Sequence, residues 1–123
     1  MALVRLDAVI LWSRDVARVV AFYRAIGVPI EVEDHGDGVR HHAADFQGVH
    51  FAILDASAPG DARRRGEDGA VQVSFKVDDL GAVLDSLRAL SAKIVIDRQP
   101  GPWGIRVVLE DPDGRPIQLT QDA

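Results

Sequence analysis

The chain has 123 residues, 47% of them apolar, a net charge of −5 and an isoelectric point near 5.2. That is enough apolar material for one compact core, and too little basic surface for a nucleic-acid footprint. The complete lack of cysteine excludes disulfides, thiolate nucleophiles and Cys-bearing zinc sites. Residues 1–12 hold no basic region followed by a long apolar run, and no stretch approaches the ~20 apolar residues that a membrane helix needs. A soluble cytoplasmic chain with no membrane partner is expected.

Taken in chain order, Leu6 to Trp12 is strand-like. Asp15 can cap a helix, and Val16, Val19, Val20, Tyr23 and Ile26 recur at helical spacing until Gly27 and Pro29 end it. Strand material follows at Ile30–Asp34, Val39–Phe46 and Val49–Leu54, separated by Gly36-Asp37-Gly38 and Gln47-Gly48 turns. Residues 55–70, DASAPGDARRRGEDGA, form a polar link whose Arg63-Arg64-Arg65 run reads as a solvated surface. Val71–Val77 is again strand-like, Asp78 or Asp79 caps a helix, and Leu80, Val83, Leu84, Leu87 and Leu90 form its stripe. Lys93–Asp97, a Pro/Gly break at 100–104, Ile105–Glu110, an Asp111–Gly114 turn and Pro116–Thr120 complete the chain.

The five apolar helix positions of the second half lie 64 residues after Val16, Val19, Val20, Tyr23 and Ile26. A shared stripe plus a matching Asp cap marks an internal duplication, so two repeats, about 3–55 and 70–121, are expected within one domain of 1–123. Each repeat reads strand, helix, three strands. In VQVSFKV the odd positions from Val71 to Val77 are apolar while Gln72, Ser74 and Lys76 share the other face. In IQLT, Gln118 and Thr120 face away from Ile117 and Leu119. The expected fold is therefore α+β: two tandem βαβββ modules form curved mixed sheets, with a helix on the outer face of each and a trough on the inner face.

Two segments carry a family likeness. RDVARVVAFYRAIGVPI is similar to the strand–Asp–helix–Phe-Tyr segment, and LEDPDGRPIQL to the closing Asp-Pro-Asp-Gly hairpin, of the vicinal oxygen chelate superfamily, the glyoxalase, bleomycin-resistance and extradiol-dioxygenase group. In its metal-dependent members, four strand positions, usually His, Glu or Gln, converge on a divalent ion. The resemblance places those positions on Ala8, Ala52, Gln72 and Gln118, with His50 as the substitute if the Ala52 alignment shifts by two. Two methyl groups and two neutral amides are a poor donor set for such an ion. No metal or other cofactor is expected, and the balance leans away from an enzyme.

The group also contains metal-free members that bind antibiotics unchanged, often with a Trp-Gly-x-Arg segment before the closing hairpin. Here that segment is Trp103-Gly104-Ile105-Arg106, although Val107 stands where those members carry an acidic residue. The departure speaks against a bulky cationic ligand and suits a flatter, more apolar one. Trp12, on the face of Ala8 and Ile10, offers a stacking surface at the trough rim. His50 should face the trough, and of the neighbours His41 and His42 only one can, since adjacent strand residues point apart. His35 falls in a turn, and Asp111 and Asp113 read as turn residues that bond the local backbone.

The expected ligand-binding residues are Trp12, His42, His50, Gln72, Trp103, Arg106 and Gln118, with no catalytic residues. The expected function is resistance by sequestration of a small molecule, an aromatic or peptide-type antibiotic, in a trough at a homodimer interface. The alternative is a metal-dependent glyoxalase- or dioxygenase-like enzyme, with His42, His50 or Glu110 entering the ligand shell.

Overall fold

The computed structural model describes Val4, Leu6 and residues 8–34, 40–56, 72–101 and 104–122. The first half runs β1 (Ala8–Ser13), α1 (Val16–Ile26), β2 (Glu31–Asp34), β3 (Arg40–Phe46) and β4 (Val49–Asp55). The second repeats it as β5 (Val73–Lys76), α2 (Leu80–Ala89), β6 (Lys93–Gly101), β7 (Gly104–Glu110) and β8 (Pro116–Gln121). Residues 57–70 of the expected linker, together with His35 and Trp103, lie outside the described residues.

The strands make two four-stranded mixed sheets, ordered β1-β4-β3-β2 and β5-β8-β7-β6. In each, the first strand runs parallel to the last and the remaining pairs are antiparallel. The registers match across the repeat: Ile10 pairs Ala52 where Ser74 pairs Gln118.

Both helices start on an aspartate that the pattern offers, Asp15 for the first and, of Asp78 and Asp79, Asp79 for the second. The Asp15 carboxylate accepts from the Arg18 amide, and that of Asp79 from the Ala82 amide. They also end alike, in left-handed backbone at positions 64 apart: Gly27 at φ 115° and Ser91 at φ 61°. Only the first is glycine. A Cβ on Gly27 would meet no atom within 4 Å, so Gly27→Ala tests backbone strain alone. It is expected to cost about 1 kcal/mol by chemical denaturation, and no loss would mean the cap had rearranged. The second helix stops at Ala89, leaving Leu90 43% exposed although the helical stripe predicts it buried.

Three strands differ from the sequence expectation by two residues or more at an end, and the others by one. β1 begins at Ala8 rather than Leu6, and β5 spans only Val73–Lys76. β6 runs on through Pro100 to Gly101, where the Pro/Gly run predicts a break. Proline is tolerated there because β6 is the sheet's edge, and two register shifts already interrupt its pairing.

The helices cover one face of each sheet and share one core. Val19, Phe22, Tyr23 and Ile26 of α1 pack with Phe51 and Ile53, while Leu80, Leu84 and Leu87 of α2 pack with Val107, Leu109, Ile117 and Leu119. Aromatic rings join the halves: Tyr23 lies 5.1 Å from Phe51 and 6.1 Å from Phe75 of β5, in tilted arrangements.

A polar link runs beside these rings. The Tyr23 hydroxyl donates to Asp111 Oδ2 at 2.8 Å, and Arg115 Nη1 donates to the same oxygen at 2.7 Å. The amides of Asp113 and Arg115 bond Asp111 Oδ1, as the Asp-Pro-Asp-Gly turn predicts. Arg115 also donates to the Trp12 carbonyl, so the closing turn of the second half is fastened to the first strand of the first. No helix among the described residues is long and apolar enough to cross a membrane.

Candidate functional site

With the core on the helix side, the opposite, inner face of each sheet carries a separate set of side chains. Alternation decides which residues stand there. On the first sheet Ala8, Ile10 and Trp12 of β1 stand beside His50, Ala52 and Leu54 of β4. Next to them on β3 are Asp45, paired with His50, and Ala43, paired with Ala52.

His42 does not join this group. Its register partner is Ile53, a core residue, so His42 lies on the helix-side face and it is His41 that shares the inner face. Sequence alternation alone allows either, because only pairing with a strand of known facing decides between adjacent residues.

On the second sheet the inner face carries a connected polar chain. Gln118 Nε2 donates to Ser74 Oγ at 3.1 Å, and Gln118 Oε1 accepts from Arg106 Nη1 at 3.1 Å. Arg106 Nε continues to Gln99 Oε1 at 2.8 Å. Gln118 and Arg106, both expected in the site, are thus brought together across β7 and β8. Ser74 and Gln99 complete the chain and were not singled out from sequence. The alternation that places Gln72 inward places Ser74 beside it. Gln99 was hidden by the shifts in β6, which break simple alternation.

Between the halves lies a cleft of about 600 Å³. Its lining comes from the segments around the first strand of each sheet, Leu6, Ala8, Ile10 and Trp12 in one half and Gln72 and Ser74 in the other, together with Arg115, Pro116 and core-face residues such as Leu11, Tyr23 and Ile117. Ile10 is 50% and Leu6 67% exposed, so the walls offer apolar area to an occupant. Trp12 and Gln72 therefore meet at one cleft, whereas His50 stands one strand away, paired with Ala8.

The metal positions implied by the family do not fit an ion. Ala8 and Ala52 offer methyl groups. The Gln118 carbonyl oxygen already accepts from Arg106, whose guanidinium would oppose a second cation. A separate group, Glu33, Asp45 and His50, has potential ligand atoms within 4.8 Å of one another on the first sheet. There His50 Nδ1 lies 2.7 Å from Asp45 Oδ1.

Two successive βαβββ units, each a four-stranded mixed sheet with a helix packed on one face, define the fold class. The family model of the Glyoxalase/Bleomycin resistance protein/Dioxygenase superfamily matches residues 5–119, and the chain belongs to that superfamily. No curated protein matches the sequence.

Among solved structures, the chain is similar to TnmS3, an antibiotic binding protein from Streptomyces sp. CB03234, with TM-score 0.70, 20% identity and coverage of 100% of this chain and 99% of that one. TioX from Micromonospora sp. ML1 aligns with TM-score 0.67 and 21% identity over 97% of this chain and 99% of that one. Lactoylglutathione lyase from Agrobacterium tumefaciens aligns with TM-score 0.65 and 20% identity over 98% and 96%. At these identities the likeness is one of fold.

Proposed function

We propose that the protein binds a small molecule non-catalytically in the cleft between its halves and protects its host by sequestering an antibiotic. The observation that carries this reading is the inner-face chemistry. Where a metal-dependent relative needs anionic or imidazole donors, this chain has two alanines and a Gln118 already bonded to Arg106. What remains is what binding requires: apolar wall area, one indole surface and a few hydrogen-bonding groups. The antibiotic-binding protein among its structural neighbours fits the same reading. Two copies would complete the trough around the exposed Leu6 and Ile10, with Trp12, Gln72, Arg106 and Gln118 as contacts and His50 at the margin.

The test is a titration of metal-analysed protein with a panel of antibiotics, read by Trp fluorescence. Saturable quenching with the compound recovered intact is expected. Trp12→Ala should weaken that binding at least tenfold, about 1.4 kcal/mol, because an indole at the rim supplies desolvated stacking area. Unchanged affinity in that variant would remove Trp12 from the site.

A second reading, a metal-dependent enzyme of the same superfamily, is favoured by Glu33, Asp45 and His50 standing together. It requires about one ion per chain that survives dialysis and is lost in His50→Ala.

A further inference from the structure

The four sheet edges of this molecule are not treated alike. Each sheet has an outer edge, β2 or β6, and an inner edge, β1 or β5. The outer edges carry the features that discourage further pairing. β2 is four residues long with Glu31 and Glu33 on it. β6 has two register shifts, a proline, and the charges of Lys93, Asp97 and Arg98. β5 is as short as β2 and ends on Lys76, but the residues of the inner edges that line the cleft carry no charge, bulge or proline: β1 presents Ala8, Ile10 and Trp12, and β5 begins with Val73-Ser74 after Gln72.

Among the described residues β1 pairs as a strand with β4 alone and β5 with β8 alone. The direction of the remaining backbone groups follows from two bonds. The Ser13 carbonyl accepts from the Ala56 amide, so odd-numbered residues of β1 turn toward β4 and even-numbered ones turn away. The Trp12 carbonyl, on the outward side, accepts from Arg115 of the other half. On β5 the Val77 amide donates to the Thr120 carbonyl, so Gln72 and Ser74 turn away from β8. The N–H and C=O groups of Ala8, Ile10, Gln72 and Ser74 therefore point off their sheets, and the side chains of the same four residues line the cleft.

We propose that the cleft recognises its ligand through secondary amides: an extended, amide-bearing compound with apolar substituents pairs its own N–H and C=O groups with the outward backbone of β1 and β5. This rests on the reading of the protein as a small-molecule binder and names the class of molecule bound. Such pairing supplies affinity through the main chain, and Leu6, Ile10 and Trp12 supply apolar contact. At about 600 Å³ the cleft holds a compound of drug size rather than a folded partner. Arg115 already shows that an outward β1 carbonyl is reachable from the cleft side.

The probe is N-acetyl-leucyl-valinamide, titrated into nitrogen-15-labelled protein, alongside the same compound methylated on its internal amide nitrogens and a fused-ring quinone without amides. Saturable amide-proton shifts at Ala8, Ile10, Gln72 and Ser74 are expected, with at least tenfold weaker binding after methylation. Equal binding of the methylated compound, or shifts confined to β2 and β6, overturns the proposal. If the quinone binds at Trp12 and the peptide does not, the amide proposal fails while the binding function stands. If neither binds, both fail. Shifts at the four residues on raising the protein concentration, with no further shift when the peptide is added, would assign the edges to a second copy of the chain and overturn it as well.

Discussion

Asp111→Ala is expected to cost about 3–5 kcal/mol of folding stability and to lower Tm by ~10 °C or more, measured by denaturant and thermal unfolding. The carboxylate is fully buried and accepts from the Tyr23 hydroxyl, the Arg115 guanidinium and two turn amides. Removing it leaves an Arg115 side chain that is only 14% exposed without its principal counter-charge. Burial works against the charge of Arg115, but the Asp111 hydrogen bond and charge outweigh it and hold its pKa above the ordinary value. The same substitution loosens the attachment of the closing turn to the Trp12 carbonyl, which joins the halves. Asp113→Ala is the control. That carboxylate lies farther from Arg115, at 3.3 Å, and should cost no more than about 1 kcal/mol. Equal losses in the two variants would show that the turn, not the buried network, carries the effect.

Alkaline solution should unfold the protein through Tyr23. Burial is the main reason its pKa is driven far above the ordinary 10.0, and the facing Asp111 charge and hydrogen bond push the same way. The folded state therefore keeps the phenol proton where the unfolded chain releases it. Stability from this group is whole below pH ~10 and falls by about 1.4 kcal/mol per pH unit above it, since the unfolded chain then binds fewer protons. Tyr23 is the only tyrosine, so tyrosinate absorbance reports on it alone. It should rise together with unfolding rather than before it. Tyr23→Phe should remove the tyrosinate signal and this share of the alkaline slope, at a neutral-pH cost of about 1–2 kcal/mol for the lost donor to Asp111. Ionisation of the tyrosine in a protein that stays folded would contradict the buried geometry.

These two residues also show where sequence reasoning reaches and where it stops. Tyr23 falls on the helical stripe and Asp111 in an Asp-Pro-Asp-Gly turn, so the core role of one and the local backbone role of the other are both legible. That the two side chains meet, 88 positions apart, is not. The same division runs through the site. Gln118 stands out as the one amide between Ile117 and Leu119. Its bonds to Arg106 and Ser74 depend on the β7–β8 and β5–β8 registers, which no local pattern reports.

By itself the sequence determined the doubled strand–helix–three-strand order, the Asp15 cap, the apolar stripes except for Leu90, and the inward facing of Gln72 and Gln118. Each follows from the periodicity of a single element, 3.6 residues for a helix and two for a strand. Only the tertiary structure decided that His42 turns to the helices while His50 pairs with Asp45. It alone decided that β6 continues through Pro100 at an edge, and that the first strands of the two halves face each other across a cleft. Those outcomes depend on which strand lies beside which and in what register. Register is set by contacts between residues far apart in the chain, and a one-residue slip would turn every side chain to the other face.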